Sequence, residues 1–403
     1  MINIEDKTKC CGCTACANIC PKNCIKMVED EEGFVYPKVD KAKCIECNLC
    51  ESVCPMESIF PKEENKLECE TYAFQILDEK ILKYSASGGF FYELSKYVLS
   101  KNGYVCGAIY DKNFEVVHYI TNNLNEIKYF SGSKYVQSNL NSIFKELKKF
   151  LDSGVLVCFS GTVCQVNGLK KYLRKGYKNL ITVDLVCAGV PSPKLWKEYR
   201  NYQQIVHNSE IKSVNFRNKT YGYSNSTMKI EFKNGNIYSK SGRIDPMMYL
   251  FVNGFVKRPA CYSCPFKGLE RNSDFTIFDS WSAEKILNIK LDNKGWTSVI
   301  VHSKNAKEIL KNFKEESLKK IDADKIIKSD GRMIYMLPKY PKQREMFYKD
   351  LNNHNFNYCI NKYVKVSVKD IFFEEIKPIL FKCGVIYHIK NIKKVLRKTL
   401  NSK

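Results

Sequence analysis

Cys10-Cys-Gly-Cys13-Thr-Ala-Cys16-Ala-Asn-Ile-Cys20-Pro21 returns further along the chain as Cys44-Ile-Glu-Cys47-Asn-Leu-Cys50-Glu-Ser-Val-Cys54-Pro55, with every cysteine displaced by the same 34 residues. This is an internal duplication. Three thiolates on so tight a loop reach three corners of one iron-sulfur cubane, while the fourth, followed by proline, is carried to the neighbouring cluster. The spacing therefore assigns Cys10, Cys13, Cys16 and Cys54 to one 4Fe-4S cluster, and Cys44, Cys47, Cys50 and Cys20 to a second. Structural zinc sites favour two close pairs separated by a longer loop, which four thiols within eleven residues do not provide.

Between the two runs, Ile25-Lys-Met-Val28, an acidic turn ending in Gly33, and Phe34-Val-Tyr-Pro-Lys-Val39 read as strand, turn, strand. Residues 1–60 thus form an α+β, ferredoxin-like two-cluster module. Cys11 and Cys24 lie inside the repeat but outside its register, with Ile45 and Ser58 at the equivalent places, and are read as packing residues.

Beyond the module, a chain of 403 residues, 44% of them hydrophobic, has enough apolar material for two or three domains. Residues 61–70 are polar and aperiodic and read as a linker. Strands over 72–77, 104–110, 115–120, 155–159 and 180–186 then alternate with helical patterns over 90–99 and 140–151, which predicts a larger α/β domain over 71–303. Residues 304–403 are lysine-rich and helical in pattern, a C-terminal tail. Its apolar-basic mixture over 371–396 reads as helices closing a core with basic faces outward, because Glu374 and Glu375 interrupt any membrane-binding face.

The formal charge is +22, and two clusters with four thiolates each, about −2 apiece, lower it to roughly +18. The lysines are scattered, with no run of five and no helix-turn-helix pattern, so nucleic acid is a poor fit. An acidic ferredoxin- or flavodoxin-like electron donor or acceptor suits this charge better. Cluster cysteines start at Cys10, leaving no room for a signal peptide, and no apolar run approaches membrane-spanning length, so the expected location is the cytoplasm. Nineteen cysteines there suit metal ligation rather than disulfides.

Three further places carry chemistry. Ser85-Ala-Ser87-Gly88-Gly89 precedes a helical stretch and reads either as a phosphate-binding turn or as a plain cap. Ser160-Gly161-Thr162-Val163-Cys164-Gln165 follows an apolar strand at the place where α/β folds bind ligands. Cys187 and the pair Cys261-x-x-Cys264 complete a set of four thiols able to share a metal with Cys164. The spacing equally allows buried free thiols and a zinc half-site or redox dithiol.

From Cys10 to about Trp281 the chain resembles the coenzyme F420 hydrogenase/dehydrogenase beta-subunit family, in the branch with an N-terminal two-cluster module. The resemblance is carried by Ser87-Gly88-Gly89, Gly132-Ser-Lys134-Tyr-Val-Gln137, Gly161-Thr-x-Cys164-Gln165, Gly168-Leu-Lys170, Asp184-Leu-x-Cys187-x-Gly189-Val-Pro-Ser192, Arg258-Pro-x-Cys261-x-x-Cys264-x-Phe-Lys267 and Asp279-x-Trp281, in that order. It implies an oxidoreductase whose FAD exchanges a hydride with an organic substrate or deazaflavin and single electrons with clusters. It also implies a third 4Fe-4S cluster on Cys164, Cys187, Cys261 and Cys264, and flavin contacts at Ser87, Gly88, Gly89, Lys134, Gly161 and Thr162. Some relatives resembling this branch are associated with surface-polysaccharide assembly. The chain departs from the family pattern at Val163, usually proline, at Ala188, usually histidine, and at Phe278 and Ser282, usually glycines. Ala188 removes a proton donor, so the sequence names no catalytic acid or base. The rival readings are a flavin-free relay subunit docking on a separate catalytic partner, and a redox-sensing module.

Overall fold

The structure is a computed structural model that describes residues 1–57 and 70–384. Apart from Glu70, the expected linker lies outside the described residues, as does the tail from residue 385 onward.

In the N-terminal module, strands β1 (Ile25–Glu29) and β2 (Val35–Val39) pair antiparallel, Ile25 opposite Val39, as the hairpin pattern predicts. The duplication is visible in the backbone. Thr14 and Asn48, equivalent positions of the two repeats, both adopt the left-handed conformation (φ 62° and 56°) and each opens a short helix, Ala15–Ile19 and Leu49–Ser52.

The remaining strands are β3 (Glu70–Phe74), β4 (Tyr104–Tyr110), β5 (Val116–Thr121), β6 (Val157–Thr162), β7 (Leu180–Leu185), β8 (Ile211–Asn218), β9 (Thr227–Phe232), β10 (Ile237–Ser241), β11 (Phe275–Asp279), β12 (Thr297–Val301) and β13 (Leu318–Lys320). Eight form one sheet in the order β13-β3-β12-β11-β7-β6-β4-β5. Its middle, β11-β7-β6-β4, is parallel, and its flanks are antiparallel. Helices cover both faces, as an apolar parallel core requires. Helices Phe90–Ser100 and Lys304–Leu310 bury Phe90, Leu94, Val98 and Ile309 on one side. Helices Ile143–Asp152 and Val163–Leu173 bury Phe144, Leu147, Val166 and Leu169 on the other. The module joins this second layer through Cys11, Cys13, Ala15 and Val53.

Two features depart from the sequence reading. Between β7 and β11 the chain leaves the sheet to build helix Pro193–His207, a three-stranded antiparallel sheet ordered β10-β9-β8, and helix Pro246–Val252. Register shifts at Ile211/Ser213 and Asn215/Asn218 break the alternation of β8, which hides it from a period-2 search. The C-terminal region is also not wholly helical. Residues Leu318–Lys320 form β13 and pair with the edge of β3, too short a segment to show any period of its own. Helices Arg344–Asn353 and Phe356–Tyr363 close a second core with the excursion around Trp196, Tyr199, Phe216, Phe251 and Phe347. Among the described residues no helix is long and apolar enough to cross a membrane.

Candidate metal centres

The module holds its cysteines in two groups. Cys16 and Cys54 both face Cys10, so the last cysteine of the second repeat sits with the first repeat, and Cys13 flanks Cys16. All four are buried, which together with neighbouring thiols pushes Cys16 up to about 12. Cys20, Cys44, Cys47 and Cys50 line a separate cavity, Cys47 exposed at its mouth. Backbone N–H groups of Ile2, Cys24 and Glu46 donate to Cys50, Cys20 and Cys44 sulfurs at 3.3, 3.4 and 3.5 Å, partners that favour thiolates. Cys24 lies 3.3 Å from Cys20, at the wall of this cavity.

A third group forms where the large sheet meets the module. Because β6 and β7 are parallel neighbours, with Thr162 opposite Leu185, their C-terminal ends deliver Cys164 and Cys187 to one edge. Cys164 rides on the first turn of helix Val163–Leu173, fixed by a capping box between Thr162 and Gln165. Cys261 and Cys264 arrive on the 3-10 turn Pro259–Ser263, which is anchored by Arg258 N–H to Val190 O (3.0 Å). All four line one cavity, together with Thr162, Lys267 and Arg271. Burial pushes Cys187 up to about 11 and raises Cys261 and Cys264 as well. Four such thiols stay ionised only beside strong positive charge.

This donor set fits a cubane. Arg271 sends Nη1 into the buried wall with no hydrogen-bond acceptor, and Asp184 Oδ1 lies 3.8 Å away. Lys267 donates to Cys187 O at 2.8 Å. Cations there offset the net negative charge of a thiolate-bound cluster. Among the described residues no group of three His, Cys, Asp or Glu is placed to hold a single ion. A cubane, whose thiolates grip separate irons, takes a wider set.

A fifth cysteine lines the same cavity. Cys11, read from the sequence as packing, reaches both Cys13 and Cys164 with its thiol. Nothing in the repeat register marks it. Its only signal is adjacency to Cys10, on a loop that needs a docking surface.

The proposed flavin contacts lie along this same edge. The loop expected at Ser160-Gly161-Thr162 is the end of β6 itself, and the helix starts at once at Val163. Lys134, half-buried, donates to the carbonyls of Phe130, Ser131 and Gly132 at 3.2 to 3.4 Å, above the Tyr110 ring; desolvation lowers it to about 7. Ser87 and Gly88 behave differently from caps. The Ser87 hydroxyl meets Thr297 Oγ1 at 2.7 Å, Gly88 N–H donates to the same oxygen, and a Cβ on Gly88 would stand 1.9 Å from Phe74 O. Gly89, at φ +85°, caps Phe90–Ser100 without a side-chain bond. Thr297 pairs with Asp279, so this turn meets the C-terminal end of β11.

Beside it stand groups that sequence reasoning missed, because they belong to the excursion. Arg217 pairs with Asp279 at 2.7 Å, lies 5.7 Å from the centres of both the Tyr223 and Trp281 rings, and leaves Trp281 half exposed. Lys219 donates to Ser87 O at 2.7 Å, and burial lowers it to about 7.

Paired cysteine repeats beside an α/β edge carrying further thiols define an iron-sulfur electron-transfer protein with an oxidoreductase-like second part. Residues 9–58 match the 4Fe-4S dicluster domain, and residues 155–326 match the family described as the C terminus of the coenzyme F420 hydrogenase/dehydrogenase beta subunit. The second match places a segment similar to that beta-subunit family behind an N-terminal dicluster domain. A chain of the F420-reducing [NiFe] hydrogenase complex from Methanosarcina barkeri, in a xenon-derivatised structure, is similar over 74% of this chain and 94% of its own, at 17% identity and a TM-score of 0.44.

Proposed function

We propose that the chain is an iron-sulfur flavoprotein oxidoreductase that moves electrons between the two module clusters, a third cluster on Cys164, Cys187, Cys261 and Cys264, and an FAD at the edge of the large sheet. The observation that carries this reading is the junction at Cys11, where the loop bearing Cys10 and Cys13 forms one wall of the second-domain thiol cavity. The exposed Cys47 side of the module faces outward to a donor, and the Cys10 side faces inward. Bound FAD would supply the exchange between one-electron and hydride chemistry.

The chain's own groups shape the cleft. From Thr297 on β12 to Tyr110 on β4 the edge spans four strand spacings, about 19 Å, room for an extended dinucleotide. Thr162 and Gly161 lie midway, Lys134 can gain or lose a proton at Nζ near neutral pH, and Trp281 offers a flat face to a substrate ring. Ala188 supplies no proton, which leaves Lys134 and Lys219, both lowered by burial to about 7, as titratable groups at that edge. The reading extends to an acidic ferredoxin- or flavodoxin-like donor drawn by the basic surface, to a catalytic partner subunit, and to an acceptor that is a deazaflavin or an organic substrate such as a sugar of surface-polysaccharide assembly.

Iron and acid-released flavin per chain, measured on protein purified without oxygen, test it. About twelve irons and one flavin support the full reading. About eight irons without flavin would replace it by the relay subunit, and a C164S variant should lose about four irons from the twelve.

A further inference from the structure

The contact between module and sheet is organised around one cation. Arg258 is fully buried, one residue before the turn Pro259–Ser263. Its Nε donates to Cys10 O at 2.7 Å and its Nη1 to Gln137 Oε1 at 3.1 Å, while Nη2 donates to Val35 O at 3.0 Å and to Cys10 Sγ at 3.4 Å. The Tyr36 ring lies 4.3 Å from the guanidinium carbon. Among the described residues no carboxylate forms an ion pair with Arg258. A guanidinium buried without a carboxylate is costly unless another anion faces it. Its charge also reaches Cys11 and Cys261, but the thiol it hydrogen-bonds is that of Cys10, a cluster ligand on the proposed reading.

We infer that Arg258 is a positioning residue for electron transfer, raising the reduction potential of the inner cluster on Cys10, Cys13, Cys16 and Cys54 so that this buried cluster can take an electron from the exposed one. The inference rests on the reading of those four cysteines as ligands. Accepting one electron adds one negative charge and makes or breaks no bond, the electron coming from a low-potential one-electron donor of the ferredoxin class. Burial opposes that added charge, because water cannot solvate it. Arg258 opposes burial twice, with a fixed positive charge in a low-dielectric place and with a hydrogen bond to a ligand sulfur, both of which raise cluster potentials. The outer set differs. Amide N–H groups of Ile2, Cys24 and Glu46 and the Cys24 thiol meet its sulfurs, the Met1 ammonium acts on Cys44 and Cys50 from a solvent-exposed place, and Cys47 is open to water, so among the described residues no buried cation faces it.

The test is an EPR-monitored redox titration of full-length, reconstituted protein with dithionite as reductant. The C47S variant marks the outer cluster by shifting its signal alone. R258Q should keep its iron and lower the inner potential by at least tenfold in the one-electron equilibrium, which is 59 mV. R258K, which keeps the charge, should recover most of that loss. Q137L cuts the same junction, since Gln137 also donates to Cys11 O at 3.1 Å, yet leaves the charge in place and should move the potential far less. An unmoved inner potential in iron-replete R258Q, or a Q137L shift as large as that of R258Q, overturns the inference. Should R258Q lose its iron, R258K decides, because a tenfold drop there overturns it too. Fewer than about eight irons in reconstituted wild type would instead strike the ligand reading itself.

Discussion

Asp245 is a buried carboxylate that meets hydroxyls and amides rather than a cation. It accepts from Tyr199 Oη at 2.6 Å, Tyr238 Oη at 2.9 Å and Met248 N–H at 2.8 Å, capping helix Pro246–Val252. Burial nonetheless pushes it up to about 6. An unfolded aspartate titrates near 3.9, so between about 4 and 6 the folded chain binds the extra proton. The stability this group contributes is therefore complete below about pH 4 and lost as pH rises through 6, a change of about 3 kcal/mol at most. Denaturant unfolding at pH 5 and pH 7 should show that slope in wild type and a flatter one in D245N. At this scale the grouping of the eight repeat cysteines was legible, because their 34-residue displacement sets it. Arg258, Arg217 and Lys219 were opaque, because Arg258 finds Cys10 and Lys219 finds Ser87 more than a hundred residues away and Arg217 finds Asp279 far outside its own strand.

Helix Val163–Leu173 does two jobs with opposite ends of one turn pattern. Its first turn carries Cys164, and one turn further Gly168 lies against the module, where a Cβ would stand 2.7 Å from Cys13 Cβ and 2.9 Å from its Sγ. No side chain fits there. G168V should displace the Cys13 loop and remove about four irons, the inner cluster's content, while near-UV circular dichroism of the large sheet stays close to wild type. An unchanged iron count would show that the loop yields without losing its ligands. Among elements, β4 was legible as a short apolar run and the β1-β2 hairpin by the acidic turn ending in Gly33 between two such runs. Strand β8 was not, since register shifts against β9 blur its period, and the three-residue β13 pairs with the edge of β3.

The whole molecule is a module locked onto a sheet by residues from its far end. Glu32, at the tip of the β1-β2 hairpin, receives both nitrogens of Arg344, one at 2.6 Å, and both groups are largely buried. Its carbonyl also accepts from the Ser192 hydroxyl, and Phe34 enters the core around Trp196. Removing one partner of such a pair costs about 3–5 kcal/mol, because the other charge stays buried alone. Hydrogen exchange of R344M should therefore show residues 1–57 opening well before the large sheet, whereas wild type should protect both together. The composition made two parts legible, but how tightly they join was not, as the lock is assembled from Glu32, Arg258 and Arg344. Those positions also set a timetable on the ribosome. Arg258 and Arg344 are made roughly 200 and 290 residues after Cys54, and at 5–20 residues per second the nascent module waits roughly 10–60 s before its cover is synthesised. On the proposed ligand reading, iron and sulfide delivered to the inner thiols have that interval of open access, and once Arg258 is in place its guanidinium covers Cys10.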